Sequence, residues 1–281
     1  MSNPNPLIFA LKLLAKLPLR FVHGLGVILG WSTYFSYQKY AVFIKQNLRL
    51  SALSKDEVSF KKTLHRNISE TGKAFLETFA IWFKDYKQLG QWYQGCTGWE
   101  HVSSALKAGK GIIFLTPHLG CFEITSLYYG QFHPITVLFR PPRQSWLMPL
   151  IHAGRQRGNV ALAPANQQGV KQLLQALKRG EAVGILPDQA PHEGEGEWAP
   201  FFGRPAYTMV LASKLAEKTG AQVLMAFGER LPNGHGYHIH ISPVEAGGIA
   251  TPSLLNAEIE KSIAQCPSQY MWVYDRYKKR G

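Results

Sequence analysis

Four consecutive apolar residues, Ile112-Ile113-Phe114-Leu115, followed at once by Thr116, Pro117 and His118, restrict this chain more than any other stretch. A run that short and without alternation reads as a β-strand buried on both faces, which requires cover above and below it. Proline ends the strand. Glu123 lies five residues beyond His118, at the predicted start of a helix over Phe122–Tyr129. Open α/β sheets bind ligands where a strand ends and the chain turns into a helix. An imidazole and a carboxylate therefore fall where chemistry is expected.

The same rhythm continues along the chain. Helices are predicted over His101–Ala108, stopped by Gly109, over Ser145–Arg157, and from an Asn166 cap to a stop at Gly180. Strands are predicted over Ile135–Phe139, Val160–Ala163 and Ala182–Leu186. Beyond a loop rich in glycine and glutamate, Tyr207–Lys218 is predicted helical. Val223–Phe227 and Tyr237–Ile241 are predicted strands joined by a turn at Pro232-Asn233-Gly234. Repeated units of this kind predict an α/β fold with a central, mainly parallel sheet flanked by helices. Before it, a capping box of Ser54 and Glu57 opens a long helix that reaches Phe83 and is weakened at Gly72. Two segments are expected: residues 1–50, hydrophobic and basic, and residues 51–281, the α/β domain.

A formal charge of +13 predicts attraction to an anionic partner: nucleic acid, membrane headgroups or an acidic protein. No nucleic-acid-binding signature occurs and the basic residues are dispersed, so nucleic acid is not expected. Three cysteines without a CxxC pair suggest neither a disulfide framework nor a zinc ribbon. The apolar stretch from Leu7 to Phe35 is interrupted by Lys12, Lys16, Arg20 and His23, and the three basic residues form one stripe in a continuous helix. Pro18 instead suits the first turn of a second helix. Leu17–Phe35 is just long enough to span a bilayer, and an interfacial anchor with snorkelling basic residues fits equally. The alternative is an ordinary buried hairpin of helices. Membrane association is expected, by span or by interface.

His118 and Glu123 stand about 140° apart on a regular helix, so the pair works only if His118 sits in the turn before it. Gly120 would permit the close approach. A carboxylate then holds one imidazole nitrogen as a donor and leaves the other as a base for a hydroxyl attacking an ester or thioester. Taken alone, the pair reads as a histidine capping a helix. Cys121 suggests a Cys–His nucleophile, but two reacting groups in one short turn align poorly. His238 and His240 share a strand face near His235, without a third metal ligand at a telling spacing.

His118-Leu119-Gly120-Cys121-Phe122-Glu123 resembles the H-x4-[D/E] signature of glycerolipid acyltransferases. Four further blocks follow in order: Leu138-Phe139-Arg140-Pro141, Leu186-Pro187-Asp188-Gln189, Pro200-Phe201-Phe202-Gly203, and Pro267-Ser268-Gln269-Tyr270-Met271-Trp272 with Arg276. Together they resemble the bacterial lipid A biosynthesis acyltransferases over nearly the whole chain. The resemblance implies an O-acyltransferase at the cytoplasmic face of the inner membrane, needing no cofactor or metal. It would take an acyl chain from acyl carrier protein to a hydroxyl of a lipid A precursor. His118 would be the base and Glu123 its orienting partner. Arg140, with Arg155 and Arg157, would meet phosphate or transition-state charge. Asp188 would position or support. Phe202 and Gly203 would wall the lipid pocket. A lysophospholipid, aminolipid or glycolipid acceptor, or a lipid-binding protein without catalysis, stay open as alternatives.

Overall fold

The computed structural model describes residues 6–142 and 144–277; the outer ends of the two expected segments, residues 1–5 and 278–281, lie outside them. Three helices come first, α1 (Pro6–Lys16), α2 (Leu19–Ser36) and α3 (Gln38–Leu50). The 27-residue α4 (Glu57–Phe83) follows. Its capping box lies two residues beyond the predicted one. Asp56 Oδ1 accepts from Ser59 N at 2.7 Å and Asp56 N donates to Ser59 Oγ, while Glu57 is taken by Arg49. Aspartate caps at least as well as serine, so the chain uses the nearer one.

A short α5 (Tyr86–Leu89) leads into the alternating region. There, β1 (Tyr93–Thr97), α6 (Trp99–Ala108), β2 (Ile112–Leu115), α7 (Phe122–Tyr129) and β3 (Ile135–Phe139) follow one another. Next come α8 (Met148–Arg155), β4 (Val160–Pro164), α9 (Gln167–Lys178) and β5 (Ala182–Ile185). A hairpin of β6 (Gly196–Phe201) and β7 (Arg204–Met209) stands apart from the main sheet. The chain then forms α10 (Leu211–Thr219), β8 (Gln222–Arg230), β9 (Tyr237–Pro243) and α11 (Pro252–Gln265).

The main sheet has seven strands in the order β1-β9-β8-β2-β5-β3-β4, and all neighbours run parallel except β8 and β9. The fold is therefore α/β with a mostly parallel central sheet flanked by helices, as expected. One predicted element differs: Tyr207–Met209 belongs to a strand, and the helix starts only at Leu211. Buried Ala199, Phe201, Ala206 and Thr208 alternate with exposed or half-buried residues. That two-residue period is the mark of a strand pair.

β2 is buried along its whole length. Ile113 and Leu115 pack with residues of α9, α10 and α11 on one face, and Ile112 and Phe114 with α6, α7 and α8 on the other. Helix α4 serves both layers, through Leu64 and Ile68 and then through Ala80 and Ile81. It is crossed closely by α2: a Cβ at Gly72 would stand 2.0 Å from the Gly26 carbonyl oxygen. The glycine that weakens α4 as an isolated helix thus sets its packing distance.

No helix among the described residues is long and apolar enough to cross a membrane. Helix α2 instead buries Val22, Gly26 and Gly30 and exposes Phe21, Leu25 and Ile28. His23 explains part of this: its Nε2 lies 3.0 Å from Glu77 Oε2 in the protein interior. Glu77 also accepts from Arg230 Nε at 2.7 Å and from the Tyr237 hydroxyl at 2.9 Å. Burial alone would raise the Glu77 pKa, but the Arg230 guanidinium and His23 lower it from 4.5 to about 2.

The folded state therefore binds the ionised carboxylate. Its contribution is complete above pH 4.5 and disappears as pH falls through about 2. Glu77→Gln leaves Arg230 short of a buried counter-charge and should cost about 3 kcal/mol at pH 7. The difference from the parent should shrink as pH is lowered from 4.5, which denaturant midpoints measured against pH will check.

Candidate active site

β2 and β5 are parallel neighbours, with Leu115 opposite Ile185. Each strand continues through one residue and a proline, to His118 in one case and Asp188 in the other. Equal extensions from a registered pair bring the two side chains together. His118 Nδ1 lies 2.9 Å from Asp188 Oδ1, and His118 N donates to Asp188 Oδ2 at 3.0 Å. An ionised carboxylate only accepts, so Nδ1 carries the proton and Nε2 presents a lone pair. The Gln189 amide Nε2 donates to that lone pair at 3.2 Å. Asp188 is 2% exposed; burial would raise its pKa, yet the imidazole and its hydrogen bonds hold it below the ordinary value.

The turn after His118 is stitched down on two sides. Gly120 has φ +61°, and a Cβ there would meet the Gly228 carbonyl oxygen at 2.1 Å. That left-handed conformation and close approach both call for glycine. Cys121 N donates to Gly228 O at 2.7 Å. Gly120 N donates to Gln269 O at 3.0 Å, and Met271 N to His118 O at 3.1 Å. Arg230 Nη2 donates to Gly120 O at 2.6 Å. Helix α7 begins at Phe122, so His118 precedes it and Glu123 occupies its first turn.

The expected contact between these two is replaced by others. Glu123 accepts from Arg155 Nε at 2.8 Å, from Arg155 Nη2, and from Trp82 Nε1 at 3.1 Å. From the first turn of α7 its carboxylate meets α4 and the end of α8 rather than the imidazole. Glu123 is 4% exposed, so the two-point guanidinium contact supplies the counter-charge that burial demands.

A cavity of about 800 Å³ opens at this point. His118, Phe122, Glu123 and Arg155 line one part of it, and Phe114 and Leu162 its apolar interior. Arg140 and Lys214 belong to the same lining, and Arg140 is exposed. Arg157 is absent from that lining. Its Nη1 and Nη2 donate to Lys84 O and Ile81 O at 2.7 and 2.8 Å, satisfying carbonyls at the end of α4. Phe202 and Gly203 do not wall this cavity either. They form the tip of the β6–β7 hairpin at φ +47° and +72°, and the Phe202 ring packs on Phe201 and Trp272.

Cys121 is buried, and its thiol is pushed well above the usual range, chiefly by desolvation and then by Glu77. A thiol so placed makes a poor nucleophile. His238 Nε2 contacts Thr97 Oγ1, and His240 Nε2 contacts Glu229 Oε2, both at 2.8 Å. No group of three or more side chains placed to hold a metal occurs among the described residues.

Sequence reasoning missed the His118–Asp188 contact, although the two strand endings Thr-Pro-His and Leu-Pro-Asp are matched in form. Strand adjacency was the missing knowledge. It also missed the residues behind the turn. Asn67 Nδ2 donates to Ser268 O and Tyr270 O at 2.9 and 2.7 Å, and Asn47 Nδ2 to Trp272 O at 2.8 Å. Such asparagines carry no signal in a single sequence.

A family model described as bacterial lipid A biosynthesis acyltransferase matches residues 7–279. The lipid A biosynthesis lauroyltransferase of Escherichia coli (strain K12) is 27% identical over 282 residues, covering 97% of this chain and 90% of its own. The lipid A biosynthesis palmitoleoyltransferase of the same strain is 26% identical over 276 residues, covering 96% and 89%. A lipid A biosynthesis acyltransferase of Haemophilus influenzae is 26% identical over 278 residues, covering 94% and 86%.

Arg155→Ala leaves the Glu123 carboxylate buried without its counter-charge and should cost about 3 kcal/mol of stability. Arg155→Lys cannot reproduce the two-point contact and should recover only part of that loss. Thermal melting of these two variants, of Glu123→Gln and of the double mutant Glu123→Gln/Arg155→Ala will close the cycle and read the coupling.

Proposed function

Since the chain belongs to the bacterial lipid A biosynthesis acyltransferase family, we propose that it performs a late acylation of lipid A, moving a fatty acyl chain from acyl carrier protein to a hydroxyl of a lipid A precursor. The observation that carries the chemistry is the His118–Asp188 contact at the edge of a large apolar cavity with a basic rim. In this reading His118 is the general base. Asp188 fixes the tautomer through Nδ1, and Nε2 takes the proton of the acceptor hydroxyl once the Gln189 amide gives way.

The hydroxyl oxygen then attacks the thioester carbon and the carbon–sulfur bond breaks. The departing thiolate takes the proton back from the imidazolium. No acyl-enzyme forms, so no nucleophilic side chain is required. Asp188 stabilises the transient imidazolium from a fixed position. Glu123 keeps the role of positioning residue, now exercised on Arg155. Arg155 and Arg140 offer positive charge to substrate phosphate or to charge developing during transfer.

The N-terminal helices are the proposed membrane contact, at the cytoplasmic face of the inner membrane. Phe9, Leu13, Phe21, Leu25 and Ile28 are exposed, and so are Lys12, Lys16 and Arg20. An apolar surface with adjacent basic side chains suits the interface of an anionic bilayer. The same net positive charge favours approach of an acidic carrier protein.

Acyl transfer from loaded carrier protein to a lipid A precursor, followed by mass spectrometry of the lipid, tests this reading. His118→Ala should lower turnover by about 10²- to 10⁴-fold. Asp188→Asn should lower it by at least about tenfold, with Cys121→Ala close to the parent. Undiminished transfer by His118→Ala would overturn the mechanism.

A further inference from the structure

A second cavity, of about 480 Å³, meets the first among the described residues at two side chains, His118 and Phe122. Their rings pack 4.8 Å apart between centroids and form the partition. The cavity runs between α2 and α4, past Leu29, Thr33 and Ala74, to the closing block at Tyr270 and Val273. Its size falls within the range of roughly 300–1,000 Å³ typical of ligand sites.

The lining excludes an ionic ligand. No lysine or arginine lines it among the described residues. Four of the polar side chains that do are committed elsewhere. Glu70 is bonded to Lys73 and Arg230, and Gln269 to the Arg230 backbone. The Thr71 and Thr78 hydroxyls donate to carbonyls one turn back, at Asn67 and Ala74. What remains is an apolar channel that suits an extended alkyl chain. The first cavity differs: Arg140, Lys171, Lys214 and Lys218 belong to its lining, as a phosphate-bearing carrier arm would require.

We propose that the second cavity holds an alkyl chain of the lipid acceptor, bringing the acceptor hydroxyl to His118 while the donor chain occupies the first cavity. This rests on the acyl-transfer reading above. The choice of acceptor over donor follows from where the channel lies. Phe75 lines it and is 59% exposed, and α2, which lines it through Leu29, turns Leu25 and Ile28 outward. A chain leaving the bilayer thus enters from the apolar surface of the N-terminal helices, whereas a donor delivered by an acidic protein meets the basic rim. Two chains arriving from separate cavities that join at the base also suit direct transfer without an acyl-enzyme.

Photolabelling of the full chain tests the assignment. One probe is an acylated glucosamine disaccharide with a diazirine at the tip of an acyl chain; the other is acyl carrier protein loaded with a diazirine-tipped chain. The acceptor probe should cross-link Leu29, Phe75 or Val273, and the donor probe residues of the first cavity. Donor-probe links on Leu29 or Phe75, or acceptor-probe links confined to the first cavity, would overturn the proposal. Ala74→Phe, which fills the channel, should raise the KM for the acceptor at least tenfold and much less that for the loaded carrier protein. An equal rise in both by a folded variant would also overturn it, and a variant that fails to fold leaves the labelling of the parent to decide. Labelling reads binding without turnover, so a parent that labels as expected but transfers no acyl group refutes the acyl-transfer reading and not the chain placement.

Discussion

A guanidinium with 3% exposure is an expensive object to bury, and Arg230 is affordable only because four groups converge on it. Its Nε meets Glu77, its Nη1 meets Glu70 and the Gln269 amide oxygen, and its Nη2 meets the carbonyl of Gly120. Its backbone N–H donates to the same Gln269 oxygen. Those partners come from α4, from the closing block and from the turn that carries His118, while Arg230 itself ends β8. A charge in such a place demands that every partner be present at once. The position of the turn is thereby coupled to the seating of α4 on the sheet.

The N-terminal helices consequently do more than offer an apolar surface. His23 of α2 reaches the same Glu77 carboxylate, and Asn47 of α3 and Asn67 of α4 hold the closing segment by its carbonyls. That segment in turn bonds the turn through Gln269 and Met271. The path from surface helix to imidazole is short, and each step is a hydrogen bond to backbone or a buried charge pair. Neutral loop contacts would let the turn shift; this arrangement penalises any shift by unpairing a buried polar group.

Much of the sheet was legible because β2 and β5 are short apolar runs closed by proline, and because Asn166 and Gly109 announce helix ends. The β6–β7 hairpin was not, since its glutamates and glycines look like loop and its buried alternation is only two residues long on each strand. The placement of His118 before α7 followed from the angle between positions five apart. Its partner did not, because a carboxylate close in sequence was available and the one used comes from a neighbouring strand 70 residues away. Spacing along one helix can rule a contact out. Naming the contact that replaces it requires the strand order.

Two buried carboxylates near one cavity would repel each other and resist ionisation if both were left to the imidazole. The structure divides them. Glu123 is matched by the permanent positive charge of Arg155, so the pair is close to neutral and responds little to what happens at His118. Asp188 instead faces a group whose charge changes and touches it by both side chain and backbone, with the Tyr270 hydroxyl and the Arg276 charge as further neighbours. In the proposed mechanism, a proton taken up at Nε2 would place the new positive charge beside a carboxylate that is already ionised, already oriented and screened from water. Asp188 would not have to move to meet it, and in a medium of low polarity that preorganisation is worth more than the contact would be in solution. The division also explains why the carboxylate nearer in sequence is the less suitable partner: one already neutralised by arginine has little left to offer an imidazolium.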